Sequence, residues 1–210
     1  MRYATGGTIL ACRLALKHGI AINVGGGYHH AAADSAGGFS VYADVPLAAK
    51  ILHDEGKINS ILVVDLDAHQ GNGTANVFRS WPWAKILDLY EEDVYPFPKE
   101  PEDYPLKVGP DLTGSEYLKM VDHTLAEALE AVRPDLVVYN AGSDPFIGDP
   151  LAFYRLTKDD LRERDLLVVT AVRDRTIPVA MVLSGGYSAE SWRIHADAIE
   201  DILVRFDGTS

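Results

Sequence analysis

Short apolar runs recur along the chain, each followed by a polar or glycine-rich turn, and longer stretches between them carry apolar residues at helical spacing. Ala21-Ile22-Asn23-Val24, Ile61-Leu62-Val63-Val64, Leu136-Val137-Val138-Tyr139 and Val179-Ala180-Met181-Val182-Leu183 have strand length. An unbroken apolar run such as 61–64 suits a strand buried on both faces. Lys85-Ile86-Leu87-Asp88-Leu89 is a further strand candidate. Residues 93–113 hold five prolines and read as an extended excursion with an edge strand near Leu106-Lys107-Val108.

Helices are expected over 7–18, stopped by Gly19, and over 46–55, ending near Gly56. Over 115–132, Tyr117, Val121, Leu125, Ala128, Leu129 and Val132 share one face, and Pro134 closes the helix. Thr157, with Asp160 three residues on, forms a capping pattern for a helix running to about residue 173. A last helix over 189–205 offers Trp192, Ile199, Ile202 and Leu203 as core contacts. Strands alternating with helices predict an α/β fold, a three-layer αβα sandwich around a mostly parallel sheet. Ligands in such sheets bind past the carboxyl ends of the strands, near a switch point in strand order.

At 210 residues the chain is long enough for one sizeable core, and a single domain over 1–210 is the expectation. The formal net charge of −12 lacks the basic stripe that phosphate backbones need, which argues against nucleic-acid binding. Such a charge reads as a solvated acidic surface, or as a field attracting cationic substrates such as lysine peptides or polyamines. The one cysteine, Cys12, lies in a helical pattern as a small core residue. A lone cysteine, no leader pattern and no membrane-length apolar run point to a cytoplasmic protein, or a nuclear one in a eukaryote, with no membrane partner. Only the tail Gly208-Thr209-Ser210 is expected to be disordered.

Four strand ends carry polar clusters: Gly27-Tyr28-His29-His30, Asp65-Leu66-Asp67-Ala68-His69, Asn140-Ala141-Gly142-Ser143-Asp144 and Ser184-Gly185-Gly186-Tyr187. If extended structure continues, Asp65, Asp67 and His69 share one face. Carboxylates side by side are costly unless a cation neutralises them. Asp144, from a separate strand end, completes a set of two oxygens and one nitrogen with an open position, the pattern of a catalytic zinc site. Ligand type alone does not exclude ferrous iron or another divalent ion. His29 and His30 follow a glycine run that permits close backbone approach, and a histidine there can move a proton. Tyr187 either packs or donates its hydroxyl to an oxyanion. The glycines complete neither a dinucleotide nor a Walker phosphate loop.

Taken together, Gly26-Gly27-Tyr28-His29-His30-Ala31, Asp65-Leu66-Asp67-Ala68-His69-Gln70-Gly71-Asn72-Gly73, Gly142-Ser143-Asp144 with Gly148-Asp149-Pro150-Leu151, and Ser184-Gly185-Gly186-Tyr187 resemble the zinc-dependent histone deacetylase family of the arginase/deacetylase fold. Gly6-Gly7-Thr8 and Gly37-Gly38-Phe39-Ser40-Val41-Tyr42-Ala43-Asp44 look most like its class IV branch and bacterial relatives. The resemblance implies one Zn2+ per chain on Asp67, His69 and Asp144, and His30 as general base and acid. It implies His29 as the electrostatic neighbour, held by Asp65, and Tyr187 as the group that polarises the acyl carbonyl. Phe39, with Gly27 and Gly186, would line the acyl-lysine channel, facing Tyr95 or Phe97. A structural K+ would draw on Asp65, His69, Asp88 and Leu89.

Two departures from the family pattern stand out. Asn72 replaces an aspartate that supports the second histidine in some members, and a neutral amide raises basicity less. The family usually carries roughly a hundred further residues before Gly6, which supply the first two strands and an acidic residue on the substrate rim. A chain shortened there would leave Ala21-Ile22-Asn23-Val24 as a sheet edge, and exposed edges pair or aggregate, so the alternatives are a fragment, a naturally shortened form, or a homodimer that covers the edge. The implied activity is hydrolysis of an acylated amine, either acyl-lysine in protein or a small acylated amine. The alternative is a non-catalytic acyl-lysine or metal-binding module. An arginase-like dimetal hydrolase would need a second set of bridging carboxylates and histidines, which the sequence does not offer.

Overall fold

The computed structural model describes residues 1–206, so the expectation for 208–210 lies outside the described residues. Six strands, β1 (Ile20–Asn23), β2 (Ile61–Asp65), β3 (Ala84–Glu91), β4 (Tyr104–Val108), β5 (Leu136–Asn140) and β6 (Val179–Val182), form one sheet in the order β1-β6-β5-β2-β3-β4. Every adjacent pair is parallel. Alternation along the strands divides the core. Leu62, Val64, Val137, Tyr139 and Met181 face helices α4 (Gly114–Val132), α5 (Lys158–Arg173) and α6 (Ser191–Phe206). Ile61, Val63, Leu136, Val138 and Ala180 face α1 (Arg2–His18), α2 (Asp44–Asp54) and α3 (Asn72–Phe78). The fold is therefore the expected α/β sandwich, with Cys12 buried in the second layer.

The two edges match their sequences. β4 contains Pro105 and half-exposed side chains, which only an edge tolerates. β1 pairs on one side only, with β6, and the neighbouring Val24 is exposed.

Three helices differ from expectation. α1 begins at Arg2 rather than residue 7, because Gly6 and Gly7 are carried within it. A side chain at Gly7 would meet Asn23 Oδ1 at 2.8 Å, so close packing on β1 offsets the poor helix propensity of glycine. The short α3, opening at Asn72, has no apolar periodicity, and the sequence pattern does not predict it. On α6, Trp192 is 68% and Leu203 55% exposed, while Ile194, His195, Ala198 and Ile202 face the core. Ile202 is thus core as expected and Ile199 half-buried, whereas Trp192 and Leu203 face solvent, and His195 takes a core position beside the Arg164–Asp165 pair of α5, which apolar periodicity does not reveal. Elsewhere α4 and α5 start where expected, each with a complete capping box, Thr113 with Glu116 and Thr157 with Asp160.

Candidate active site

Strand order reverses between β2 and β5: the chain leaves β2 toward β3 and β4, then returns to place β5 on β2's other side. Asp67 and His69 follow β2, Asp144 follows β5, and all three are buried at this switch point. One ligand atom from each falls within 4.8 Å of the others. His69 Nδ1 lies 3.1 Å from Asp67 Oδ1 and 2.9 Å from Asp144 Oδ2.

The other atoms of these groups are already engaged. Asp67 Oδ2 accepts from the Ser184 hydroxyl at 2.8 Å and the Gly185 N–H at 2.9 Å. Asp144 Oδ1 accepts from the Ala68 N–H at 2.9 Å. His69 Nε2 lies 3.1 Å from the Leu151 carbonyl, which can only accept, so Nε2 carries the hydrogen and Nδ1 is free to ligate. Gly142 and Gly185 allow the close approach: a Cβ would stand 2.6 Å from Asp67 Oδ2 at either position.

The electrostatics ask for a cation. Burial and the Asp67 charge push the Asp144 carboxyl up to about 7. Burial disfavours a charged His69, but hydrogen bonds to Asp144 and Asp67 outweigh it and raise the ring to about 11. Asp144 and His69 thus hold extra protons when no metal balances them, while burial of Asp67 is outweighed by the His29 charge and the His69 hydrogen bond, which keep its carboxyl low, and the donor set fits a divalent ion of the zinc type.

His29 and His30 reach the same place from β1, on the far edge of the sheet. Asp44 anchors their loop, accepting from the Gly27 and Tyr28 N–H groups at 2.9 and 2.8 Å. Gly27 has φ +81°, a conformation side chains rarely adopt. His29 Nδ1 lies 2.9 Å from Asp65 Oδ2, and its Nε2 lies 3.1 Å from His30 Nε2. His30 Nδ1 lies 2.7 Å from Asn72 Oδ1, which requires Nδ1 to donate and leaves Nε2 as the basic end. Burial lowers His29, yet Asp65 and Asp67 more than compensate and raise it to about 9. Burial, then the His29 charge, lower His30 to about 3. The pair therefore splits into a charged histidine and a neutral one.

A cavity of about 300 Å3 opens onto this group, lined by His30, Gly38, Phe39, His69, Tyr95, Leu151 and Tyr187. Gly27 and Gly186 line an adjoining lobe of about 190 Å3 with His29 and Asp67. Tyr187 stands with its ring 5.9 Å from Phe39, and Asp149 Oδ2 accepts from its N–H at 2.6 Å. Tyr95 packs 4.9 Å from the His30 ring and lines the cavity, whereas Phe97 is largely exposed and does not. A larger cavity of about 480 Å3 lies between β1 and α6, with an apolar lining and no clustered acid–base groups.

Asp88 sits beside Asp65 across the β2–β3 register. Its Oδ2 accepts from the Gly71 N–H at 2.7 Å, while its buried Oδ1 has no hydrogen-bond partner among the described residues. Burial and the neighbouring Glu102 and Asp65 raise its pKa. The residues singled out from sequence thus converge on one pole of the sheet. Several supporting groups are visible only in the structure. Asp44 stands in the sequence as one member of a motif with no role of its own, Glu91 accepts from the Phe153 N–H, and Arg164 is a buried charge on α5. A buried Asp or Arg reads as surface in sequence, so periodicity gives no signal for them.

Comparison with known proteins agrees with this geometry. A family model described as the histone deacetylase domain matches residues 1–202. The chain belongs to the histone deacetylase family. Histone deacetylase 2 of Arabidopsis thaliana is 40% identical over 204 residues, covering 96% of this chain and 53% of the relative. An uncharacterised protein of Picosynechococcus sp. is 39% identical over 185 residues, covering 88% of this chain and 62% of its own length. The chain thus spans little more than half the length of these family members. Among solved structures, acetylpolyamine aminohydrolase from Burkholderia pseudomallei superposes with a TM-score of 0.79 at 22% identity, covering 94% of this chain and 60% of that one. The HD domain of HDA15 gives 0.79 at 23% identity, covering 96% and 62%. At these identities the structural likeness shows the fold alone.

Proposed function

We propose that the chain is a zinc-dependent deacylase that hydrolyses the amide bond of an acylated amine, either acyl-lysine in a protein or a small acylated amine. The observation that carries this reading is the meeting of Asp67, His69 and Asp144 with the His29–His30 pair and Tyr187 around one apolar-walled cavity. Family membership supports it. One structural neighbour is an acetylpolyamine aminohydrolase, which is the reason to keep small amines in the substrate class.

Asp67 Oδ1, His69 Nδ1 and Asp144 Oδ2 would hold the zinc, which supplies Lewis acidity toward the carbonyl and the water. The residues of the chain then divide the proton work. His30 Nε2, neutral and held by Asn72, takes a proton as water attacks the carbonyl carbon. The charged His29, steadied by Asp65, favours the negative charge growing on the carbonyl oxygen. The Tyr187 hydroxyl donates to that oxygen from the opposite side. His30 returns the proton to the amide nitrogen, the C–N bond breaks, and carboxylate and free amine leave. Phe39, Tyr95 and Leu151 enclose the apolar part of the substrate. A structural potassium at the Asp65–Asp88–Leu89 corner, also drawing on His69, fits the orphaned Asp88 oxygen.

The test is hydrolysis of a fluorogenic acyl-lysine peptide and of an acetylated polyamine by the zinc-loaded protein, with and without chelator. Turnover abolished by chelator and restored by zinc is expected for at least one substrate. A folded, zinc-loaded protein that turns over neither leaves only the non-catalytic metal-binding reading.

A further inference from the structure

Arg164 is a complete charge inside the protein, with no exposed surface, on a helix that contributes nothing to the cavity lining. Its guanidinium is split between two tasks. Nε donates to Asp165 Oδ1 at 2.8 Å, and Nη2 lies 2.8 Å from the same oxygen. Nη1 donates to two backbone carbonyls, Leu66 at 3.1 Å and Gly142 at 2.8 Å. Asp165 is held in turn by the Tyr139 hydroxyl of β5.

Those two carbonyls occupy a particular place. The β2–β5 ladder ends at Asp65 and Asn140, apart from the Leu66 N–H bond to the Asn140 carbonyl. Beyond that point the two chains leave the sheet, and no backbone N–H reaches the Leu66 or Gly142 carbonyl among the described residues. Leu66 immediately precedes Asp67, and Gly142 precedes Ser143-Asp144. One nitrogen of Arg164 therefore ties together the two segments that carry the carboxylates of the metal set. A buried carbonyl without a donor is costly, and a planar fork that satisfies two of them fixes their separation as well.

We propose that Arg164 is a positioning residue that sets the spacing of Asp67 and Asp144, and so the affinity and ligand geometry of the metal centre. The inference rests on the reading of Asp67, His69 and Asp144 as that centre. Asp165 and Tyr139 orient the guanidinium, and Arg164 itself touches neither substrate nor metal. Outer partners of this kind typically govern about 10- to 100-fold in metal affinity.

Cobalt(II) reports both affinity and geometry through its visible absorption, independently of turnover. We expect Arg164→Met, in the full chain, to bind Co2+ about 10- to 100-fold more weakly and to change the intensity of the visible band. Arg164→Lys should fall between this variant and the parent. In the zinc-loaded state kcat should fall with KM largely kept. Val172→Ala, a buried substitution on the same helix outside the cavity lining, is the control for lost stability and should leave affinity and spectrum alone. A folded Arg164→Met with parental Co2+ affinity and spectrum overturns the proposal, as does a Val172→Ala that weakens binding equally. If neither arginine variant folds, Tyr139→Phe is decisive: a loss of about threefold supports the proposal and an unchanged affinity overturns it. A parent protein that binds no Co2+ defeats instead the metal reading beneath it.

Discussion

Asn72 decides how basic His30 can be. Its amide oxygen fixes the tautomer at 2.7 Å without adding charge, and buried His30 beside charged His29 stays low, at about 3. An Asn72→Asp change would place a carboxylate at the same distance and raise the His30 pKa by about one to three units. A general base with a raised pKa is protonated over more of the acid range. The acid limb of the kcat/KM profile should therefore move to higher pH, with rate lost near pH 5 and kept near pH 8. A pH–rate profile superimposable on the parent's would show that His30 is not the titrating base. At this scale the sequence was most legible where chemistry is unusual: adjacent histidines after glycines, and Asp-x-Asp-x-His after an apolar run. Groups that act by accepting backbone hydrogens, such as Asp44 beneath Gly27 and Asp149 beneath Tyr187, carry no such mark, because their partners are N–H groups that every residue but proline has.

Among the elements, α5 links a legible feature to an illegible one. Its start follows from Thr157 and Asp160, whose side chains satisfy the first-turn N–H groups as a capping box does. Its inner face does not follow from pattern, since Arg164 and Asp165 are as buried as Leu161 and Val168. The same hidden polar pair lies beside His195, the polar member of the α6 core stripe. Because the capping box is exposed and does not line the cavity, Thr157→Ala should cost about 1 kcal/mol in denaturant unfolding and leave Co2+ affinity unchanged. A cap variant that weakened the metal site would mean that the whole helix, rather than the Arg164 fork, holds Asp67 and Asp144 in place. Strand positions were readable for a different reason. Burial on both faces leaves β2 and β5 almost no polar positions, and their first polar residues, Asp65 and Asn140, mark where the sheet ends and chemistry begins.

For the molecule as a whole, the proposed metal ligands Asp67, His69 and Asp144 join two separate strand ends, those of β2 and β5, so their protonation couples to stability. His69 is raised from 6.5 to about 11 in the metal-free fold. Its contribution to the metal-free protein is therefore complete below about pH 6.5 and is lost progressively as pH rises toward 11. Asp144, raised from 3.8 to about 7, acts in the same direction at lower pH: its contribution is complete below 3.8 and gone above 7. Metal binding needs the opposite state, with Asp144 ionised and the proton gone from His69 Nδ1. Binding consequently releases protons, and apparent affinity should rise with pH, about tenfold per unit for each proton released. The difference in Tm between zinc-loaded and chelated protein should widen from pH 6.5 to 8.5, since the metal-free form loses stability while the loaded form binds more tightly. Thermal unfolding of both forms across that range, with calorimetry in two buffers of different ionisation enthalpy to count protons, measures the coupling directly. A gap that stays constant with pH, and no proton release, would mean that Asp67, His69 and Asp144 do not hold the stabilising ion.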